Sequence, residues 1–172
     1  VHNFPFEYGR LPGPYSWKEN SETVKMYWND RVKESRDQDM VYTLGMRGIH
    51  DSGLPGYGSD EERRDVLKSI IGEQRKMLKA NTGKAANEVP QMFCPYKEAM
   101  RLYRLGLDLP EDVTLMWVDD NFGYIRQLSN PEEQKRSGGA GVYYHFSYWG
   151  VPQDFLWLGA TPPALMAYEM SK

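Results

Sequence analysis

This sequence lacks several features that define particular classes of protein. Each absence excludes one class. Its single cysteine, Cys94, excludes an internal disulfide framework. No run of about 18 apolar residues is present, so the sequence predicts no membrane-spanning helix. The formal net charge is −3 and the basic residues are scattered, unlike the one-sided positive surface of a nucleic-acid binder. We therefore expect neither a nucleic acid nor a membrane as a partner.

Four short apolar runs, each ending in or followed by polar residues, organise the rest of the chain. They occupy residues 40–46, 91–95, 114–118 and 141–146. Asp51, Glu98, Asp120 and His145 lie at or just beyond their ends. The spacing suits βα units, in which a crossover helix returns the chain to the same edge of a parallel sheet. We predict parallel, adjacent strands at the four runs.

Helix signals lie between and around these runs. Helices are predicted at 21–36, 60–79, 96–105 and after Thr161. Ser59 and Glu62 form a capping box ahead of the second of them, and Gly106 is a usual terminator for the third. The order predicts an α/β fold whose parallel (β/α) units form about half of a TIM-type (β/α)8 barrel.

The 172 residues are long enough for one domain with a sizeable core. We divide them into an entry segment with a helix, residues 1–39, and βα units, residues 40–172. An open parallel sheet of four strands would expose its edges. The chain is therefore expected to be the first part of a barrel in a larger multidomain enzyme, and to be inactive by itself.

Residues 119–121, Asp-Asp-Asn, are the clearest indication of function. They follow directly after a strand that carries Trp117. Burying an unpaired charge costs roughly several kcal/mol, so a requirement for stability does not explain this cluster. Parallel α/β sheets build their sites at the carboxyl ends of strands. The cluster and His145, near the end of the next run, therefore predict a site at that edge.

Four strings in the chain resemble glycoside hydrolase family 115. They are residues 42–51, 91–98, 117–126 and 138–146, and the resemblance extends in order from about Pro14 to Thr161. That family comprises xylan α-1,2-glucuronidases, which remove (4-O-methyl)glucuronic acid branches from xylan with inversion. The resemblance implies that glucuronoxylan or a glucurono-xylooligosaccharide is the substrate and that no cofactor is used. A polysaccharide substrate implies a secreted or periplasmic enzyme, and a homodimer is left open.

The resemblance also implies which residues form the pocket. These are Arg47, Asp51, Glu98, Asn121 and His145, and Asp120, which precedes Asn121 in the polar cluster, is a further substrate-binding candidate. Asp51 and Glu98 are the candidate catalytic pair, because inverting hydrolysis needs a protonated carboxyl and an ionised carboxylate about 6.5–9.5 Å apart. Which of the two is the acid stays open, and the base could lie outside this sequence. Arg47 would bind the uronate carboxylate, and the remaining three would bind the sugar.

The same residues admit other interpretations. Arg47 and Asp51 could form an exposed ion pair of little energetic value, and His145 could be a hydrogen-bonded core histidine. The chain could also be a non-catalytic carbohydrate-binding or degenerate fragment. A metal-dependent barrel hydrolase using His50 and His145 with Asp51 and Asp120 is less favoured, because neither His-x-His nor His-Glu-x-x-His occurs and no metal is predicted.

Overall fold

The computed structural model describes residues 11–49, 52–120 and 124–145, together with 164, 167, 168 and 171. In chain order the elements are α1 (Trp17–Ser35), β1 (Tyr42–Thr43), α2 (Asp60–Thr82), β2 (Gln91–Phe93), α3 (Glu98–Arg104), β3 (Thr114–Val118) and β4 (Ala140–Tyr143). Single 3-10 turns lie at Ala86–Glu88 and Glu133–Lys135. Within the described residues, no helix has the length and apolar character needed to cross a membrane.

The four strands form one parallel sheet in the order β1-β2-β3-β4. Met92 pairs in register with both Thr43 and Thr114, and Met116 pairs with Gly141. Strands that are neighbours in the chain are therefore neighbours in the sheet, as in a singly wound barrel, without the order reversal of a doubly wound sheet. The predicted α/β fold and the parallel, adjacent strands are confirmed.

The core lies on one side of this sheet, where α2 and α3 cover it. Leu115 and Trp117 alternate with less buried residues along β3 and face the helices with Phe93 of β2. Leu67 of α2 and Leu102 of α3 pack into the same cluster and are each 2% exposed. Burying a side chain of this size stabilises the fold by about 1.5–3 kcal/mol. Both helices thus lie on one outer face, as predicted.

The helix α1 begins at Trp17, four residues before the predicted start. Ser16 caps it by accepting from the Glu19 amide at 3.3 Å. Asn20, the residue before the predicted start, interrupts the helix with φ −146° and ψ 35°. Its side-chain amide donates to the carbonyl oxygens of Pro12 and Pro14 instead. The backbone resumes helical geometry after this kink. The predicted start at residue 21 therefore corresponds to a break inside the helix and not to its first residue.

The predicted capping of α2 is found in a modified form. Ser59 accepts from the Glu62 amide at 3.1 Å, while the Glu62 carboxylate accepts from the amide of Gly58 and not from that of Ser59. The helix runs to Thr82, three residues beyond the prediction, and ends where Gly83 adopts a left-handed φ of 71°.

The third crossover differs from the βα pattern that the spacing suggested. In its described part, residues 124–139, the only helical element is the turn Glu133–Lys135. The Asn130 side chain accepts from the amides of Glu132 and Glu133, and Glu133 accepts from the Asn130 amide, so this segment ends as a capped turn. The predicted helix after Thr161 lies largely outside the described residues.

An ion pair stabilises the amino-terminal edge of the sheet. Arg75 of α2 donates to Asp112, just before β3, at 3.0 Å, and to the side-chain oxygen of Gln91, the first residue of β2, at 3.0 Å. The Arg75 and Asp112 side chains are 17% and 21% exposed. This cluster lies at the edge of the sheet where barrel folds have residues that stabilise the fold. Their active-site residues lie at the opposite edge.

Candidate active site

The carboxyl ends of four parallel strands bring together residues that are far apart in the sequence. Arg47 follows β1, Glu98 follows β2, Asp120 follows β3 and His145 follows β4. These four of the six predicted pocket residues thus belong to the same edge of one sheet. Asp51 and Asn121 lie outside the described residues. The roles assigned to all six remain predictions.

Arg47 and Glu98 form a two-point ion pair across 51 residues of sequence. Arg47 Nε donates to Glu98 Oε1 at 2.5 Å, and Nη2 donates to Oε2 at 3.0 Å. The side chains are 27% and 18% exposed, so the pair is partly shielded from water and more valuable than an exposed one. A Cβ added to Gly53 would lie 3.5 Å from Glu98 Cγ, which places the loop after β1 against this carboxylate. Glu98 is therefore directed toward Arg47 and not into the core between helices.

An aromatic ring lies beneath two cations next to this pair. The Arg47 guanidinium is 5.7 Å from the centroid of the Tyr96 ring, and Lys97 Nζ is 5.1 Å from it. Both distances fall within the range of cation–π attraction. Neither Tyr96 nor Lys97 was among the predicted pocket residues, although both belong to the Tyr-Lys-Glu string that ends in Glu98. The string itself was the signal that could have identified them.

Lys97 has the only positive φ of any non-glycine residue within the described chain, with φ 50° and ψ −120°. A side chain in such a region costs roughly 1–3 kcal/mol of backbone strain. Lys97 is also the residue that precedes α3, so its conformation sets how Glu98 leaves β2. Strain of this kind at the carboxyl edge of a sheet is typical of functional sites.

Asp119 and His145 join the ends of β3 and β4. Asp119 Oδ1 lies 2.6 Å from His145 Nδ1, and Oδ2 accepts from the His145 backbone amide at 3.0 Å. Asp119 is completely buried, whereas the His145 side chain is 29% exposed. The ring of Tyr143 meets the imidazole edge-on, with centroids 4.8 Å apart. His145 is thus held on one side by a buried carboxylate.

Asp119 belongs to the polar cluster at residues 119–121 but was not among the six candidate pocket residues. Its neighbours Asp120 and Asn121 were included. Its signal is the alternation of β3, because Leu115, Trp117 and Asp119 share one buried face. A carboxylate that continues the buried face of a strand must find a partner, and a histidine at the end of the neighbouring strand is within reach.

Asp120 contacts two residues that follow it in the chain. Its carboxylate accepts from the Tyr124 amide at 3.0 Å and from Arg126 Nε at 2.6 Å. Its own amide donates to the Tyr124 carbonyl, and Asp119 pairs with Ile125 in an antiparallel bridge. These bonds hold the end of β3 against residues 124–126. The substrate role predicted for Asp120 therefore has a structural role beside it.

The described polar groups at this edge form two separate sets. Across residues 11–49, 52–120 and 124–145, no three His, Cys, Asp or Glu side chains come together as ligands for one ion. One set is the Arg47–Glu98 pair with Tyr96 and Lys97, and the other is the Asp119–His145 pair.

Comparison with known proteins identifies the family. The family model described as Glycosyl hydrolase family 115 matches residues 2–172. The chain belongs to glycosyl hydrolase family 115. The resemblance seen in the four strings is thereby confirmed, and the carboxyl edge described above is that of a glycosyl hydrolase family 115 chain.

A solved structure agrees with this membership. It is described as a novel family GH115 4-O-methyl-α-glucuronidase with specificity for decorated arabinogalactans, and it superposes with a TM-score of 0.84 at 49% sequence identity. The match covers 94% of this family 115 chain and 21% of the solved chain. The chain therefore spans about a fifth of that relative's length. No curated protein matches this chain.

Proposed function

We propose that this chain supplies part of the active site of an α-glucuronidase that removes (4-O-methyl)glucuronic acid side chains from a polysaccharide by inverting hydrolysis. The observation that carries the proposal is the Arg47–Glu98 pair at the carboxyl edge. It places a carboxylate able to act on water beside a guanidinium able to bind a uronate. The family membership and the α-glucuronidase among the solved relatives support the same reaction.

The proposed reaction needs one acid and one base. Asp51 protonates the glycosidic oxygen as the bond between that oxygen and the anomeric carbon breaks. Glu98, or an acid outside this chain, takes a proton from water while the water oxygen attacks the anomeric carbon from the opposite face. The products are the polysaccharide without this branch and a free uronic acid of inverted configuration. The proton lost by Asp51 is balanced by the one the base receives.

Arg47 is proposed to hold the uronate carboxylate. Because Arg47 is already paired with Glu98, this role needs a further positive charge nearby. Guanidinium has five N–H donors, and Glu98 uses two of them. A uronate would bring a second carboxylate to a cation that is already neutralised. Lys97, stacked on the same Tyr96 ring as Arg47, supplies a further positive charge at this edge. The two cations together suit an anionic sugar in the presence of Glu98.

The polysaccharide is proposed to be glucuronoxylan, which the family resemblance implies. A decorated arabinogalactan is the second candidate, because the solved relative at 49% identity is described as specific for such polymers. Asp120, Asn121 and His145 would bind the sugar in either case. An enzyme acting on so large a substrate is expected to be secreted or periplasmic.

The test compares both polymers with the longest natural chain that contains this sequence. Released uronate is quantified by anion-exchange chromatography, and the configuration of the fresh product is read by proton NMR. We expect uronate release with inversion from glucuronoxylan. Release from arabinogalactan alone would replace xylan with the second candidate. Binding of either polymer without any release would support a non-catalytic carbohydrate-binding protein and contradict the proposed activity.

Arg47→Ala provides the residue-level test. Loss of a partly buried charged contact is expected to lower kcat/KM by a factor on the order of 100. Arg64→Ala is the matched control, because Arg64 lies on the outer helix α2, is similarly exposed at 29%, and also pairs with a carboxylate, that of Asp65. The control is expected to keep the wild-type kcat/KM. Equal effects of the two substitutions would contradict a substrate role for Arg47.

A further inference from the structure

We propose that Asp119 is a positioning residue that fixes the orientation and the tautomer of His145 at the carboxyl edge of the sheet. This inference rests on the proposed function for its substrate, but its geometry belongs to the described chain alone. Among the described residues of this edge, it gives a role to a buried carboxylate that the reaction scheme does not use.

The contacts of Asp119 define the tautomer. An ionised carboxylate can only accept hydrogen bonds, and Oδ1 lies 2.6 Å from His145 Nδ1. The proton between them therefore belongs to Nδ1, in the neutral ring and in the imidazolium alike. Nε2 lies on the far side of the ring from Asp119. Nε2 is then a hydrogen-bond acceptor in the neutral ring and a donor in the charged one.

Burial excludes a direct role for Asp119 in the reaction. The residue is 0% exposed, so its carboxylate cannot reach a sugar or a water that attacks one. Its side chain lies on the helix-covered face with Leu115 and Trp117. Asp119 can act on substrate only through the residue it holds, and that residue is His145, whose side chain is 29% exposed.

The backbone around Asp119 explains why the carboxylate is placed so firmly. Its amide donates to the Tyr143 carbonyl of β4 at 3.3 Å, and on its other side it pairs with Ile125. The His145 amide in turn donates to Asp119 Oδ2 at 3.0 Å. Main chain and side chain of His145 are therefore both fixed by one carboxylate. Such a two-point hold restricts ring flips as well as ring position.

The experiment is a double-mutant cycle in the full natural chain with Asp119→Asn, His145→Gln and the double variant. Asparagine keeps the shape of Asp119 but can donate to Nδ1 and so allows the other tautomer. We expect Asp119→Asn to lower kcat/KM for uronate release by roughly 10- to 100-fold, the range for loss of a group that orients a functional histidine. The double variant should be no worse than His145→Gln. Additive losses would overturn the proposal, because they would mean that Asp119 acts independently of His145.

A spectroscopic measurement separates this inference from the proposed function. In protein labelled with ¹⁵N-histidine, the signals of His145 are assigned by their absence from His145→Gln. We expect Asp119→Asn to move the Nδ1 and Nε2 shifts of His145 toward the opposite tautomer. Unchanged shifts would overturn the proposal even if the enzyme releases uronate. Conversely, the wild-type protein could release no uronate while Asp119→Asn still changes the His145 shifts. That pair of results would contradict only the proposed function.

Asp112→Asn is the matched control. Asp112 also lies at an end of β3 and pairs with a cation, Arg75, but at the opposite edge of the sheet. Its substitution is expected to lower stability to a degree similar to that of Asp119→Asn. It should leave the His145 signals and kcat/KM unchanged. A control that reproduced the kinetic and spectroscopic effects of Asp119→Asn would reduce the role of Asp119 to general stability and overturn the proposal.

Discussion

The side-chain amide of Gln74 hydrogen-bonds both polar groups of the Gly45 backbone. Gln74 Oε1 accepts from the Gly45 amide at 2.7 Å, and Nε2 donates to the Gly45 carbonyl at 3.0 Å. The amide thus takes the place of a neighbouring strand two residues before Arg47. Gly45 has φ 98°, a left-handed conformation that bends the chain out of β1 at this point. A residue of helix α2 therefore directs the loop that carries Arg47.

Gln74→Ala is expected to destabilise the chain by about 1–3 kcal/mol, because two hydrogen bonds to a partly buried peptide are lost. It should also lower kcat/KM, since the path of the chain into Arg47 is no longer fixed. Gln134→Ala is the control, because Gln134 is exposed and its side chain donates to the Ser129 carbonyl. Urea denaturation and uronate release measure the two effects. A Gln74→Ala variant as stable and active as the control would contradict this role.

The parallel sheet could be predicted because each apolar run is short, ends in polar residues and is separated from the next by enough chain for a crossover. Strand limits could not be predicted in the same way. The run 40–46 is mostly apolar, yet β1 covers only Tyr42–Thr43. The contact that replaces pairing at Gly45 comes from Gln74, which is 29 residues away. Local pattern carries no information about such a partner.

The candidate site shows the same division. Motifs placed Arg47, Glu98 and His145 at strand ends, and the parallel sheet brings those ends to one edge. The pairing partners were not predictable, because they depend on which face of a strand a side chain occupies. Asp119 and Asp120 are adjacent and chemically identical, yet one is completely buried against His145 and the other pairs with Arg126. Sequence proximity to a motif therefore could not distinguish the surroundings of these two aspartates.

Asp51→Ala tests the proposed acid. In the full natural chain we expect it to abolish uronate release from glucuronoxylan, because the leaving sugar oxygen is no longer protonated. A substrate with a good leaving group, such as a nitrophenyl α-glucuronide, should still be cleaved, since its bond needs no proton. The comparison of the two substrates by the same uronate assay is the measurement. Near wild-type release from the polymer would make Glu98 the first alternative acid to test.

The ionisation of Tyr15 is expected to lower the free energy of unfolding at alkaline pH. Burial raises the pKa of Tyr15 from 10.0 to about 12 in the folded chain. Above pH 10 the unfolded chain loses this proton while the folded chain keeps it, so the free energy of unfolding falls as pH rises from 10 toward 12. A two-unit difference is worth about 2.7 kcal/mol at most. Below pH 10 the contribution is fully present.

Tyr15→Phe removes the ionisable group and provides the comparison. Unfolding free energies are measured by urea denaturation at pH 9, 10 and 11 in both proteins. We expect the variant to start lower, because it loses the hydroxyl contacts, but to fall less steeply with pH. Parallel pH profiles for the two proteins would show that Tyr15 does not titrate differently in the folded and unfolded chains.

Lys97→Gly and Lys97→Ala separate strain from charge at the carboxyl edge. Both substitutions remove the ammonium group above Tyr96, so both should weaken uronate binding. Only glycine adopts φ 50° and ψ −120° without steric cost, so Lys97→Gly is expected to be about 1 kcal/mol more stable than Lys97→Ala. Urea denaturation gives the stability difference, and inhibition by free glucuronate gives the affinity. If alanine proved as stable as glycine, the backbone at Lys97 would not be strained. If inhibition were unchanged in both variants, Lys97 would not contribute the second positive charge proposed for uronate binding.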